Sequence, residues 1–81
     1  MPKLRTLSGK DLLRIFADFG FYPSSQRGSH IKLRRSPRPG LQQTLTIVSH
    51  SEVDRGTLHA IYRQALRFIP DNELHPHFYS E

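Results

Sequence analysis

Read by its alternation of apolar and polar positions, the chain predicts a helix, three short strands and a second helix. Leu12, Leu13, Phe16 and Phe19 recur at helical spacing with Ile15 flanking the stripe. Ser8 with Asp11 three residues on has the form of a capping box, because an aspartate can reach back to the N-cap amide as glutamate does. Gly20 is placed to end that helix in the left-handed C′ position. Phe21 and Tyr22 open an extended segment, and Pro23, which has no amide to give a ladder, predicts an edge or irregular strand.

Gly28 permits a tight turn into a second strand, Ser29 to Arg35. Period-two alternation sends Ile31 and Leu33 to one face and His30, Lys32 and Arg34 to the other. Ser36-Pro37-Arg38-Pro39-Gly40 has the composition of a loop. A third strand is expected over about residues 43–49. Leu45 and Ile47 continue its core face, and Thr44, Thr46 and Val48 share the other; His50 joins that outer face if the strand persists. Asp54 or Thr57 caps the second helix, whose buried stripe is Leu58, Ile61, Tyr62, Ala65, Phe68 and Ile69. Pro70 stops it. Asp71–Leu74 suits one further helical turn, and the rest of 71–81 reads as a loose tail. Two amphipathic helices bury both stripes on one face of a three-stranded sheet. The other sheet face is left to solvent with His30, Lys32 and Arg34 on it.

Charge sharpens this picture. The net charge is +5, but residues 1–43 carry nine Lys and Arg against two acids, and residues 44–81 carry three against five. Arg27, Lys32, Arg34, Arg35 and Arg38 fall along one strand and its turns, a placement that attracts a polyanion, of which nucleic acid is the usual one. With 81 residues there is one thin core and little room for an enclosed ligand cavity, so a partner is met on an open face. The absence of cysteine leaves no disulfide framework and no thiolate metal site, which fits a cytoplasmic protein. No apolar run approaches the roughly 18 residues of a membrane span, and no signal-type segment opens the chain.

The chemistry-bearing residues are few. His30 can take and return a proton near neutral pH, and beside a basic strand that suits cleavage of a phosphodiester in RNA by its own 2′-hydroxyl. In that reading Lys32 stabilises the phosphate, and Arg27 or Arg34 positions the backbone. Arg27, Lys32, Arg34 and Arg35 are the expected RNA contacts. His50 is the candidate second proton-transfer group. Ser29 is an auxiliary candidate only, since strand neighbours face opposite ways and no acid stands ready to orient the base. His59 follows a buried helix position and reads as solvent-facing. The His75-x-His77 pair lacks the further ligands that a metal site needs, so no metal and no cofactor is expected. Phe21, Tyr22 and Tyr62 have the chemistry to stack on bases, though at these positions aromatics are more often core or core-edge residues.

Gly20-Phe21, then Gln26-Arg27-Gly28-Ser29-His30, the basic strand, His50, and Gly56-Thr57-Leu58 opening the last helix resemble the HicA-type (YcfA-like) mRNA interferase toxins. The resemblance covers about residues 6–69. It implies an α+β, double-stranded-RNA-binding-domain-like α-β-β-β-α fold for a single domain over 1–70, with 71–81 as a tail. It also implies an endoribonuclease acting on mRNA, with the catalytic histidine falling on His30, restrained by a HicB-type antitoxin. Val48 stands where the family often has proline, two residues before the second histidine. A non-catalytic RNA-binding module of the same fold is the competing reading.

Overall fold

The computed structural model describes all 81 residues, and every expected element is present with two additions. A short strand β1 (Lys3–Leu4) precedes helix α1 (Gly9–Asp18). Strands β2 (Tyr22–Arg27), β3 (His30–Arg38) and β4 (Leu41–Val48) follow, then α2 (Arg55–Ala65), α3 (Asp71–Phe78) and β5 (Tyr79–Ser80). The three long strands form an antiparallel sheet in the order β2-β3-β4. With α1 and α2 packed on one face, this is the α-β-β-β-α arrangement of double-stranded-RNA-binding domains. Ile31, Leu33, Leu45 and Ile47 are buried beneath the helices, against Leu12, Ile15, Phe16, Leu58, Ile61 and Ala65.

Local chemistry sets the ends of α1. The Ser8 hydroxyl accepts from the Asp11 amide at 3.0 Å, and the Asp11 carboxylate accepts from the Ser8 amide at 2.9 Å, so two otherwise unpaired donors are satisfied reciprocally. At the other end Gly20 takes φ +90°, its amide donates to Ala17 O, and the Phe21 amide donates to Phe16 O. That is the two-bond Schellman closure, and its accompanying apolar contact is the edge-on pair Phe16–Phe21, with centroids 6.0 Å apart. For α2 the cap is Asp54, whose carboxylate accepts from the Thr57 amide at 3.1 Å.

The pattern of edges also follows from the sequence. Pro23 lies in β2, an edge strand, and the β2–β3 register shifts between Pro23 and Ser25. The free edge of β4 is closed by a side chain: the Gln64 amide accepts from Thr46 N–H at 2.9 Å and donates to Thr46 O at 3.2 Å, as a neighbouring strand would.

Four expectations are corrected. Residues 36–40 are not a loop; β3 runs to Arg38, and only Pro39-Gly40 makes the turn before Leu41. β4 ends at Val48, so His50 is off the sheet. Val48, expected on the open face, is buried where the start of α1 closes on the strand end. There the Gly9 amide donates to His50 O at 2.8 Å, and a Cβ on Gly9 would lie 2.5 Å from Val48 O. The segment 71–81 is not a loose tail. Leu74 and Phe78 are fully buried, Phe78 packs on Phe16 and Tyr62 at centroid distances of 6.1 and 5.1 Å, and β5 pairs antiparallel with β1. A stripe of only two large apolar residues around Pro76 gives little periodic signal, yet it fills the gap that α1 and α2 leave open.

Candidate nucleic-acid interface

The turn that precedes His30 fixes the site. Arg27 and His30 lie directly opposite each other, with only Gly28 and Ser29 between them. Gly28 adopts φ +57°, and no non-glycine residue has positive φ, so the turn is positive only at its first central position, the type II′ signature. Nothing lies within 4 Å of where a Gly28 Cβ would point, so backbone conformation rather than crowding demands glycine here. The Gln26 side chain donates to Gly28 O at 3.0 Å and steadies the turn.

From that turn the open sheet face is laid out in rows. Arg27 and His30 form the first, with the buried Val48 across from His30 in register only; Ser25, Lys32 and Thr46 form the second; Tyr22, Arg34 and Thr44 the third. The register shift in β2 makes the last row possible. Strict alternation back from Arg27 and Ser25 would turn Tyr22 toward the helices, whereas the extra residue beside Pro23 pairs Tyr22 with Arg34 on the open face. The Ser24 hydroxyl, donating to Lys32 O at 3.2 Å, holds that irregular stretch. Ser25, Gln26, Arg27, His30, Lys32 and Thr46 line an open groove, with His30, Arg27 and Lys32 all exposed.

The structure thus gathers His30, Arg27, Lys32 and Arg34 on one solvent-facing surface, and it separates the others. Arg35 lies on the opposite face. Its guanidinium donates to Gln43 Oε1 at 2.8 Å, Phe19 O at 2.9 Å and Phe68 O at 3.1 Å, and sits 4.7 Å over the Phe21 ring. It closes the carbonyl ends beyond α1 and α2, so its expected place among the RNA contacts is withdrawn: alternation alone puts position 35 with Ile31 and Leu33. Ser29 is half-buried in the turn, and its carbonyl accepts from the Ser49 amide at 2.8 Å.

His50 does not line the groove. It lies between β4 and α2, near enough to Asp54 to add a small Coulombic share to the lowered pKa of that carboxyl. The larger causes are the Thr57 hydroxyl and then the Thr57 amide. His75 stacks on Tyr79 at 4.5 Å and His77 meets Phe19 edge-on at 5.4 Å, so each ring has its own aromatic neighbour. Of the three candidate stacking residues, Phe21 and Tyr62 are core. Burial, and then the hydrogen bond to Asp71, raise the Tyr62 pKa. Only Tyr22, 52% exposed, faces solvent.

No helix is long and apolar enough to cross a membrane. No curated protein and no solved structure matches the chain. A family model described as the HicA toxin of bacterial toxin–antitoxin systems matches residues 9–66. That span runs from the first turn of α1, through the Gly28-Ser29-His30 turn and the whole sheet, to the residue after α2. With more than two thirds of its length accounted for in this way, the chain belongs to the HicA family of toxins from bacterial toxin–antitoxin systems.

Proposed function

We propose that this protein is the endoribonuclease toxin of its pair, cutting cytoplasmic mRNA without a metal and using His30 as its proton-transfer group. One observation carries the reading: on an open sheet face, His30 stands directly opposite Arg27 and one same-face step from Lys32, at the mouth of a groove with no apolar lining. Arg27, Lys32 and Arg34 supply positive charge for a phosphodiester backbone. Imidazole at His30 takes the proton of the 2′-hydroxyl, the 2′ oxygen bonds to phosphorus, and the bond from phosphorus to the 5′ oxygen breaks. The products are a 2′,3′-cyclic phosphate and a 5′-hydroxyl whose proton comes from water. His50, displaced to the α2 cap, is not assigned the second proton transfer. Lys32 stabilises the charge that accumulates on the phosphate. A groove this open and a lone histidine fit a slow enzyme.

A HicB-type antitoxin would neutralise the protein by covering His30 and the basic strand with an acidic surface, giving salt-sensitive association. The decisive experiment is cleavage of one long RNA, with excess EDTA, by wild-type protein and by His30→Ala shown to be folded. Cleavage by the wild type alone supports the reading. If neither cuts but both shift RNA in a gel, the protein is a non-catalytic RNA-binding module. Equal cutting by both removes His30 from the chemistry.

A further inference from the structure

We infer that Tyr22 is a base-stacking platform that fixes where a single-stranded RNA lies relative to His30; the inference rests on the proposed cleavage at His30. Tyr22 is the only Phe or Tyr ring on the open sheet face, and the β2 irregularity is what brings it there, opposite Arg34. The other exposed large apolar side chains are Met1, Leu41 and Leu66, none of them on this surface beside the histidine. Arg34 in the same row is half-buried and its guanidinium makes no hydrogen bond within the protein, its shielded Nε included, so its Nη groups are the donors left for a ligand, while Arg35 next to it is fully engaged. A planar ring beside a guanidinium with donors to spare is the combination that holds a base and its phosphate together without reading sequence.

Geometry sets the distance. His30 and Arg34 are four residues apart on one extended strand, about 13 Å. That spans on the order of two nucleotides of extended single strand. The groove at Arg27, His30 and Lys32 takes the scissile phosphate, and the row of Tyr22 and Arg34 takes the base about two positions away. A duplex keeps its bases stacked on each other and offers none to Tyr22, so the site selects unpaired RNA.

The test compares a dinucleotide, too short to reach Tyr22, with a single-stranded oligonucleotide containing the same cleaved step. The readout is the ratio of kcat/KM for the longer substrate to that for the dinucleotide. Tyr22→Ala is expected to lower this ratio by about ten- to a hundredfold. Tyr22→Phe keeps the ring and should restore it. An abasic residue two positions from the cut should make wild type and Tyr22→Ala alike. An unchanged ratio in Tyr22→Ala overturns the inference and leaves the cleavage reading standing. If the wild type cuts neither substrate, the cleavage reading falls and stacking is read directly from bound oligonucleotide carrying 2-aminopurine. Quenching by wild type but not by Tyr22→Ala then sustains the platform, and equal fluorescence overturns it.

Discussion

Arg34 and Arg35 are sequence neighbours that the fold assigns to opposite tasks, and replacing each by methionine separates them. Arg35 gives three hydrogen bonds and a ring contact to groups from three parts of the chain: Gln43 in β4, Phe19 at the end of α1, and Phe68 beyond α2. A hydrogen bond from a charged donor contributes about 1.5–3 kcal/mol. Water reaches this half-buried site, so the sum is discounted, and Arg35→Met is expected to cost about 3 kcal/mol. For a domain of this size each kcal/mol moves Tm by about 4–8 °C, so a fall of about 12–24 °C is expected. Arg35→Lys should recover little, since an ammonium cannot reproduce a planar fork aimed at three acceptors. Arg34→Met, on the open face, should melt within about 3 °C of wild type. Thermal unfolding by circular dichroism reads the first effect and RNA affinity against salt reads the second. Each cation lost from the open face should reduce the slope of log K against log salt by about 0.7, and a folded Arg35 variant should leave that slope unchanged. If Arg35→Met melts within about 3 °C of wild type, or if it rather than Arg34→Met lowers the salt slope, the division of labour is wrong.

Other outcomes follow from single contacts. Phe78→Ala should cost about 3–5 kcal/mol by emptying a fully buried ring site between Phe16 and Tyr62, and truncation after Pro70 should cost more; urea denaturation of both checks this, and a native-like midpoint for the truncated chain would refute it. Gly28→Ala is expected to destabilise by about 1–2 kcal/mol through positive φ alone, whereas a D-alanine placed there by chemical synthesis should be neutral or stabilising, since nothing crowds the position. Gly9→Ala should cost about 1–3 kcal/mol, because its Cβ meets the β4 backbone and no flexible side chain can yield. Asp11 and Asp54 both have carboxyl pKa values held below the ordinary 3.8, Asp11 first by the Ser8 amide and Asp54 first by the Thr57 hydroxyl. A lowered folded-state value stabilises above the unfolded pKa and is lost as pH falls through the folded one. Acid unfolding below about pH 3.8 should therefore be shallower in Ser8→Ala and Asp54→Asn than in wild type.

Much of the molecule was legible in the sequence because its signals are local. Capping of α1 needs only Ser8 and Asp11, its closure only Gly20 and Phe21, and the exposure of His30 with Lys32 and Arg34 only the alternation of one strand. Each is decided within a few residues by hydrogen-bond reach and the two-residue period. The same alternation, applied one position further, puts Arg35 off the open face, although its charge groups it with the basic cluster. The Ser36–Gly40 stretch reads as a loop because proline and glycine mark turns by composition, whereas an outer hairpin end tolerates Pro37 inside the strand.

Tertiary structure alone decided the rest. Whether residues 71–80 order depends on the space that Phe16 and Tyr62 leave for Phe78, and on β1 being close enough for β5 to pair. Neither the depth of that space nor the meeting of the two termini is encoded in local periodicity. The facing of Tyr22 likewise turns on one unpaired residue in β2, a register shift that a strand acquires only when its partner is in place. The sequence by itself determined which residues would cap, turn and alternate, since those choices are made over distances of one helical turn or one hairpin. Only the packed fold decided what Arg35 does on the face that alternation gives it, because the Phe19 and Phe68 carbonyls it closes come from other parts of the chain.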